Sequence, residues 1–202
     1  MATVGLKLVT LALKNSETGK VLTGEDGLSE NGLLPITTQM WGTKTANITN
    51  IQEAGTIQYG NNVGVFVSTP KGSPQVALDF NKLPFEVTQK IVGRKQDPDT
   101  GAWIETGKHP SVALLIESQS IDRMNRVFYG FGNGTMTQAS INNGTDTNAE
   151  TMATDALTYQ ALSTPEFDGE ALAMYSDVSK AFDETKMMQQ VFAGYVVPAS
   201  KQ

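Results

Sequence analysis

The stretch 83–93, LPFEVTQKIVG, carries one short helical pattern between strand patterns, and it limits what the rest of the chain can build. Pro84 suits the first helical position, where no backbone N–H is needed, and Glu86 lies in the first turn with Lys90 four residues on. Gly93 can take the left-handed backbone that closes a helix. Val87 and Ile91 share one apolar stripe, so the spacing predicts a helix over 84–92. It would lay Phe85, Val87 and Ile91 on a sheet containing Val76, Leu78 and either Val112 or Leu114. A single amphipathic helix cannot form a layer alone; it covers a sheet.

The flanking segments supply that sheet. In 73–80, Val76, Leu78 and Phe80 alternate with Gln75, Ala77 and Asp79, the pattern of a half-exposed strand. Residues 111–117 are apolar on both faces, and 126–131 is rich in aromatics; both read as core strands. The start, 4–13, places Val4, Leu6 and Leu8 on one face and Val9, Leu11 and Leu13 on the other. Lys7 and Lys14 interrupt its apolar run and no small-residue cleavage site follows, so it reads as a buried strand rather than a signal peptide. Residues 36–69 hold several short strand patterns, broken at Gly55 and at Asn61-Asn62. Segment 94–107 reads as a polar hairpin turning at Asp99-Thr100-Gly101. Strands are also predicted over 135–141 and 156–162. Residues 164–188 read as loose helix or loop, and 191–197 as a last strand.

With 202 residues and no cysteine, the expectation is one domain, 1–202, held by packing without disulfides or thiolate metal sites. Long polar loops are expected at 16–34 and 94–108, with a variable segment over 164–188. Net charge is −6, and its distribution is uneven. Between Val127 and Ser179 there is no Lys or Arg, against seven acids: Asp146, Glu150, Asp155, Glu166, Asp168, Glu170 and Asp177. Such a stretch argues against a grip on nucleic acid; it suits either a surface that phosphates slide past or a plain solvated face.

No catalytic constellation is apparent. The lone histidine, His109, sits between Lys108 and Pro110, with no Gly-x-Ser-x-Gly elbow in the chain. Asp97, Asp99 and Gly101 miss the calcium-loop template, which needs Gly where Ala102 stands and Glu where Lys108 stands. Gly130, Gly132 and Gly134 are followed by Thr135 and no helix, so they fit strand bulges or close backbone approach better than a dinucleotide loop. Trp41 and Trp103 admit a sugar-stacking role, which keeps a carbohydrate-binding β-sandwich open as the alternative. Neither enzymatic activity nor a cofactor is expected.

The order of elements carries a resemblance: an SPQVALDF strand, the LPFEV helix ending in Gly, a Gly/Asp-rich excursion, then PSVALLIES, RVFYGFGNG and TDALTYQAL. Over about 45–197 this order resembles the major tail protein, or tail tube subunit, of bacteriophages with long non-contractile tails. The resemblance implies a β-sandwich or partly closed barrel with one short helix packed on it. It implies hexameric rings stacked into a hollow virion tube through which DNA is ejected without specific binding, made in the host cytoplasm and not in a membrane. Partners would be the chain itself, a tape-measure protein in the lumen, and the tail terminator and distal tail proteins. Loop 16–34 or the arm 51–65 would then reach a neighbour. Alternation around Leu157, Tyr159 and Ala161 turns Thr158 and Gln160 the other way. The expected lumen lining is therefore Gln138, Ser140, Thr158 and Gln160, with Asp146, Glu150 and Asp155 near it.

Overall fold

The structure, a computed structural model, describes residues 3–141, 143, 145 and 153–196. The elements run β1 (Thr3–Lys14), β2 (Leu33–Pro35), β3 (Thr43–Thr49), β4 (Ile57–Gly60), β5 (Val63–Val67) and β6 (Gln75–Phe80). After β6 come α1 (Phe85–Val92), β7 (Arg94–Gln96), β8 (Trp103–Glu105), β9 (Ser111–Ser120) and β10 (Arg126–Phe131). The last are β11 (Gly134–Thr137), β12 (Asp155–Ala161), β13 (Ala173–Ser176) and α2 (Glu184–Val191). They form a five-stranded sheet A, β13-β10-β9-β1-β2, a four-stranded sheet B, β11-β12-β6-β3, and two hairpins, β4-β5 and β7-β8. All pairings are antiparallel and no sheet closes on itself. The protein is mainly β, a sandwich.

Strand alternation explains how the layers meet. Val9, Leu11, Leu13, Val112, Leu114, Ile116 and Phe131 of sheet A face Val76, Leu78, Phe80, Met136, Leu157 and Tyr159 of sheet B in one buried cluster. Tyr159 ties the layers together. Its hydroxyl donates to the Val112 carbonyl at 3.0 Å, its ring meets Phe131 edge-on at 5.6 Å, and burial pushes its phenol pKa well above the ordinary value. Gly134 is required beneath it, since a Cβ there would stand 2.3 Å from the Tyr159 ring. Close approach thus accounts for this glycine, and likewise for Gly130, whose Cβ would meet Val191 at 2.6 Å.

In β1 the two faces divide differently from simple alternation. Register shifts fall between Val4 and Leu6 and between Leu6 and Leu8, with Gly5 at φ 72°. The bulge turns Leu6 onto the inner face with Val9, while Leu8 joins the outer face.

The helix α1 begins one residue later than predicted, with Pro84 flanking it at ψ 134°, and closes on Gly93 at φ 87°. Ile91 (0% exposed) and Val92 enter the sandwich cluster with Leu83, and Val87 packs at its margin. Phe85 is a correction: it is 66% exposed. It opens the helix, and although its spacing sets it in line with Thr88, Gln89 and Val92, it stands one turn before the buried stretch of the helix begins. Val76 and Leu78 are buried in the cluster that Ile91 joins.

The C-terminal third departs furthest from expectation. Residues 173–176 form the edge strand β13, and 184–191 form α2, capped by the Asp183 carboxylate accepting from the Lys186 N–H at 3.1 Å. The expected last strand over 191–197 is not one in its described part. Val191 and Phe192 instead pack with Met187 on Ala113, Leu115 and Phe128, the outer face of sheet A. Sheet A is thus covered on both sides, which is why 112–116 is apolar throughout.

Candidate assembly surfaces

Three surfaces remain once the two cores are assigned: the outer face of sheet B, its edges, and the β4-β5 hairpin. The registers fix the first. Thr45, Asn47 and Thr49 of β3 lie opposite Asp79, Ala77 and Gln75 of β6, which lie opposite Ala156, Thr158 and Gln160 of β12; Thr135 and Thr137 of β11 complete the face. Every group there is small or a neutral amide or hydroxyl except Asp79, whose carboxylate has Lys44 at 3.3 Å. Gln75 and Gln160 join their amides across it at 2.5 Å.

Of the expected lining residues, Thr158 and Gln160 sit on this face. Thr137 and Thr135 stand where Gln138 was expected. Gln138 follows β11 with the opposite parity, and its amide oxygen accepts from Arg94 at 3.1 Å. Ser140 is exposed beyond the strand end. Asp155 has the parity of Leu157, and its carboxylate accepts the Leu83 N–H at 3.0 Å, fixing the turn into α1. Asp146 and Glu150 lie outside the described residues.

The edges of sheet B are β3 and β11. Thr43 Oγ1 on the edge strand β3 and Asp79 Oδ1 on its neighbour β6 are buried with no hydrogen-bond partner among the described residues. An unpaired strand edge is a template for another chain, and β3 carries a single charged residue, Lys44, which is engaged with Asp79.

The β4-β5 hairpin is the third surface. Asn61 and Asn62, at φ 50° and 65°, make the two-residue turn that matches strand twist. Its feet are held by the Gln52–Lys71 bridge, and Gly72 is needed there because a Cβ would lie 2.1 Å from the Ile51 carbonyl oxygen. Beyond the feet nothing covers the ribbon. Ile57, Tyr59 and Val67 occupy one face, and Val63, Val65 and Phe66 the other, with no buried residue in either strand. Both faces are apolar and both are exposed, which no solvated loop requires.

Several acids of the acid-rich stretch, among the described residues, serve the fold. Glu166 approaches the buried Lys14 at 3.7 Å, Glu170 holds Lys71 at 2.6 Å, and Asp177 meets Arg126 at 3.5 Å. These pairs staple the segment to bases from distant parts of the chain. Burial pulls the Lys14 ammonium below its ordinary pKa against the attraction of Glu166, and its Nζ donates to the Gly132 carbonyl at 2.8 Å. Burial by itself would raise Glu166, but bonds from Thr164, its own N–H and Lys14 outweigh that and hold it low. The cavity of about 480 Å³ beside this pair is lined by Ser111, Asn133, Glu17 and exposed His109 as well, and its Lys14 and Glu166 are already partnered with each other. Asp97 spends its carboxylate on the Asp99 N–H and the Thr100 hydroxyl, bonds that lower its pKa and shape the β7-β8 turn. Trp41 and Trp103 stand on different elements, the turn before β3 and β8.

A sandwich whose apolar surplus lies on a projecting ribbon, and whose neutral face ends in open edges, is suited to self-association. The family model described as phage tail tube protein matches residues 1–200. The chain belongs to the phage tail tube protein family. It is a structural component of the phage tail, a virion protein that assembles with itself into a tube. No curated protein matches it. Among the described residues no helix is long and apolar enough to cross a membrane.

Proposed function

We propose that this tail tube protein forms hexameric rings that stack into a hollow tube, with the outer face of sheet B lining the lumen through which DNA is ejected. The carrying observation is that face: Thr45, Asn47, Thr49, Ala77, Ala156, Thr158 and Thr137 offer no large apolar side chain, and the one cation beside them, Lys44, is paired with Asp79. In a ring closed by pairing β3 of one copy with β11 of the next, the edges vanish and these faces merge into one inner wall. A neutral wall does not hold phosphates, whereas a lysine-lined one would bind them in a salt-dependent way. Asp146 and Glu150, in the excursion between β11 and β12, belong to the same proposal and would add repulsion near the wall. The tube would enclose a tape-measure protein during assembly and end on terminator and distal tail proteins, all formed in the host cytoplasm.

Negative-stain microscopy with light scattering across protein concentration tests this reading: rings at low and tubes at high concentration support it, and a strictly monomeric species at high concentration contradicts it. Thr158→Lys with Asn47→Lys should leave the subunit folded and make tubes retain DNA at low salt and release it at high salt. Tubes of this variant that ignore DNA at every salt concentration would remove sheet B from the lumen.

A further inference from the structure

Sheet B has two different ends. At one end β3 leaves Thr49, opposite Gln75, and both feet of the hairpin arm rise there. At the other end β3 starts at Thr43, opposite Phe80, and the elements beyond it are the turn carrying Trp41 and the segment leading into α1. The seven residues of β3 separate these ends by about 20 Å.

The second end exposes two large aromatics that the fold does not use. Phe85 turns away from the core at the start of α1, and Trp41 is 61% exposed. Trp41 is also held in left-handed backbone, φ 57°, directly before Gly42 at φ 73°. Such backbone favours glycine or asparagine, so a tryptophan there is strained and gains no compensating burial within the chain. Its surroundings are fixed nonetheless. The Asn81 side chain donates to the Trp41 carbonyl at 2.8 Å, the Asn81 N–H to the Gly42 carbonyl at 3.3 Å, and the Lys82 ammonium stands 5.8 Å from the Trp41 ring centre. A strained, anchored and exposed aromatic is what a contact made only after assembly looks like.

Resting on the proposed ring, we infer that Trp41, Lys82 and Phe85 form the platform that receives the β4-β5 arm of a second copy in the adjacent ring. If neighbours within a ring pair strand edge to strand edge, the ends of sheet B face the rings above and below. Stacking then sets the arm end of one copy against the platform end of the next. The contact is heterologous and does not close, so it repeats along an axis and builds a filament. The arm brings Val63, Val65 and Tyr59 towards its tip and Phe66 nearer its foot, and the platform brings the two aromatics; buried together they form the aromatic-centred contact that dominates binding between chains.

The full-length protein tests this directly. The doubly substituted variant Trp41→Gly, Phe85→Ser should unfold at the same temperature as the wild type or higher, because glycine relieves the backbone and Phe85 was exposed. Its rings should remain, while mean tube length falls at least about tenfold. The chain has no cysteine, so single introduced thiols are unique. A mixture of Phe66→Cys and Phe85→Cys copies should give a reducible dimer in tubes and none in isolated rings. Wild-type tube length in the double variant, or the same disulfide in isolated rings, overturns the platform and leaves the tube intact. Loss of the rings themselves would place the platform in the lateral contact and overturn it as well. A wild-type protein that makes neither rings nor tubes overturns the tube reading and the platform together.

Discussion

The sandwich body and the β4-β5 arm use the same residues to opposite ends. In the body, Val, Leu, Ile and aromatic side chains alternate so that each meets a partner: Val76, Leu78 and Phe80 bury against Leu157, Tyr159 and sheet A. In the arm, Ile57, Tyr59, Val63, Val65, Phe66 and Val67 are arranged on two faces of a ribbon one layer thick, and all are exposed. A lone two-stranded hairpin is marginal in water, so this ribbon's stabilisation must come from another molecule. The body folds on its own contacts; in the proposed tube the arm defers its burial to assembly.

That contrast is most exposed to failure in the arm itself. Replacing 56–68 with a short Gly-Ser turn should abolish tubes while leaving the thermal midpoint of the unassembled protein unchanged; a destabilised monomer, seen by circular dichroism, would show that the arm belongs to the body. Within the body, α1 grades the effect of burial. Ile91→Ala should cost about 2–4 kcal/mol through lost contact and a residual cavity, Val87→Ala about 1, and Phe85→Ala almost nothing by urea unfolding. Equal losses at all three positions would contradict the face seen here.

The ion pairs sharpen the body side further. Glu166→Gln strands the buried Lys14 ammonium and should cost about 2 kcal/mol, less than for a fully buried pair because Glu166 keeps a quarter of its side chain exposed. With its pKa lowered in the folded state, Glu166 contributes stability above its ordinary value of 4.5 that is lost as pH falls through the lower folded value. Glu117 has the opposite sign. Burial chiefly raises it, with Arg126 opposing, so its favourable share is present below 4.5 and lost as pH rises through the folded value. Glu117→Gln should therefore raise the midpoint slightly at neutral pH and not at pH 4, the smallest of these effects.

Much of the body was legible in the sequence because its strands alternate cleanly and its helix carries both punctuation marks, Pro84 and Gly93. The misplaced parts each have a local cause. Leu6 and Leu8 face opposite ways because a register shift between them breaks the period of two. Gln138 and Ser140 were counted by alternation past the point where β11 ends, at Thr137. Phe85 has the type and the helical spacing of a core residue, but it lies in the first turn of α1, ahead of the part that the sandwich covers. At the C-terminus 184–188 is helical, one of the two states its sequence allows, but VFAGYVV reads as a strand when taken alone, and the Asp183 cap followed by Met187 and Val191 four apart was the signal that carries the helix to Val191. The acids of 155–177 form a single-signed run in sequence, yet pairs such as Lys14–Glu166 join residues too distant for spacing to show. Trp41 and the arm were visible only as aromatic and β-branched residues; their exposure is a tertiary fact.

Amide hydrogen–deuterium exchange over 57–67, compared between unassembled protein and tubes, measures the deferred burial directly. The account predicts fast exchange in the unassembled protein and strong protection in tubes, while 111–117 in the body stays protected in both. An arm already protected before assembly, or still exchanging freely within intact tubes, would contradict it.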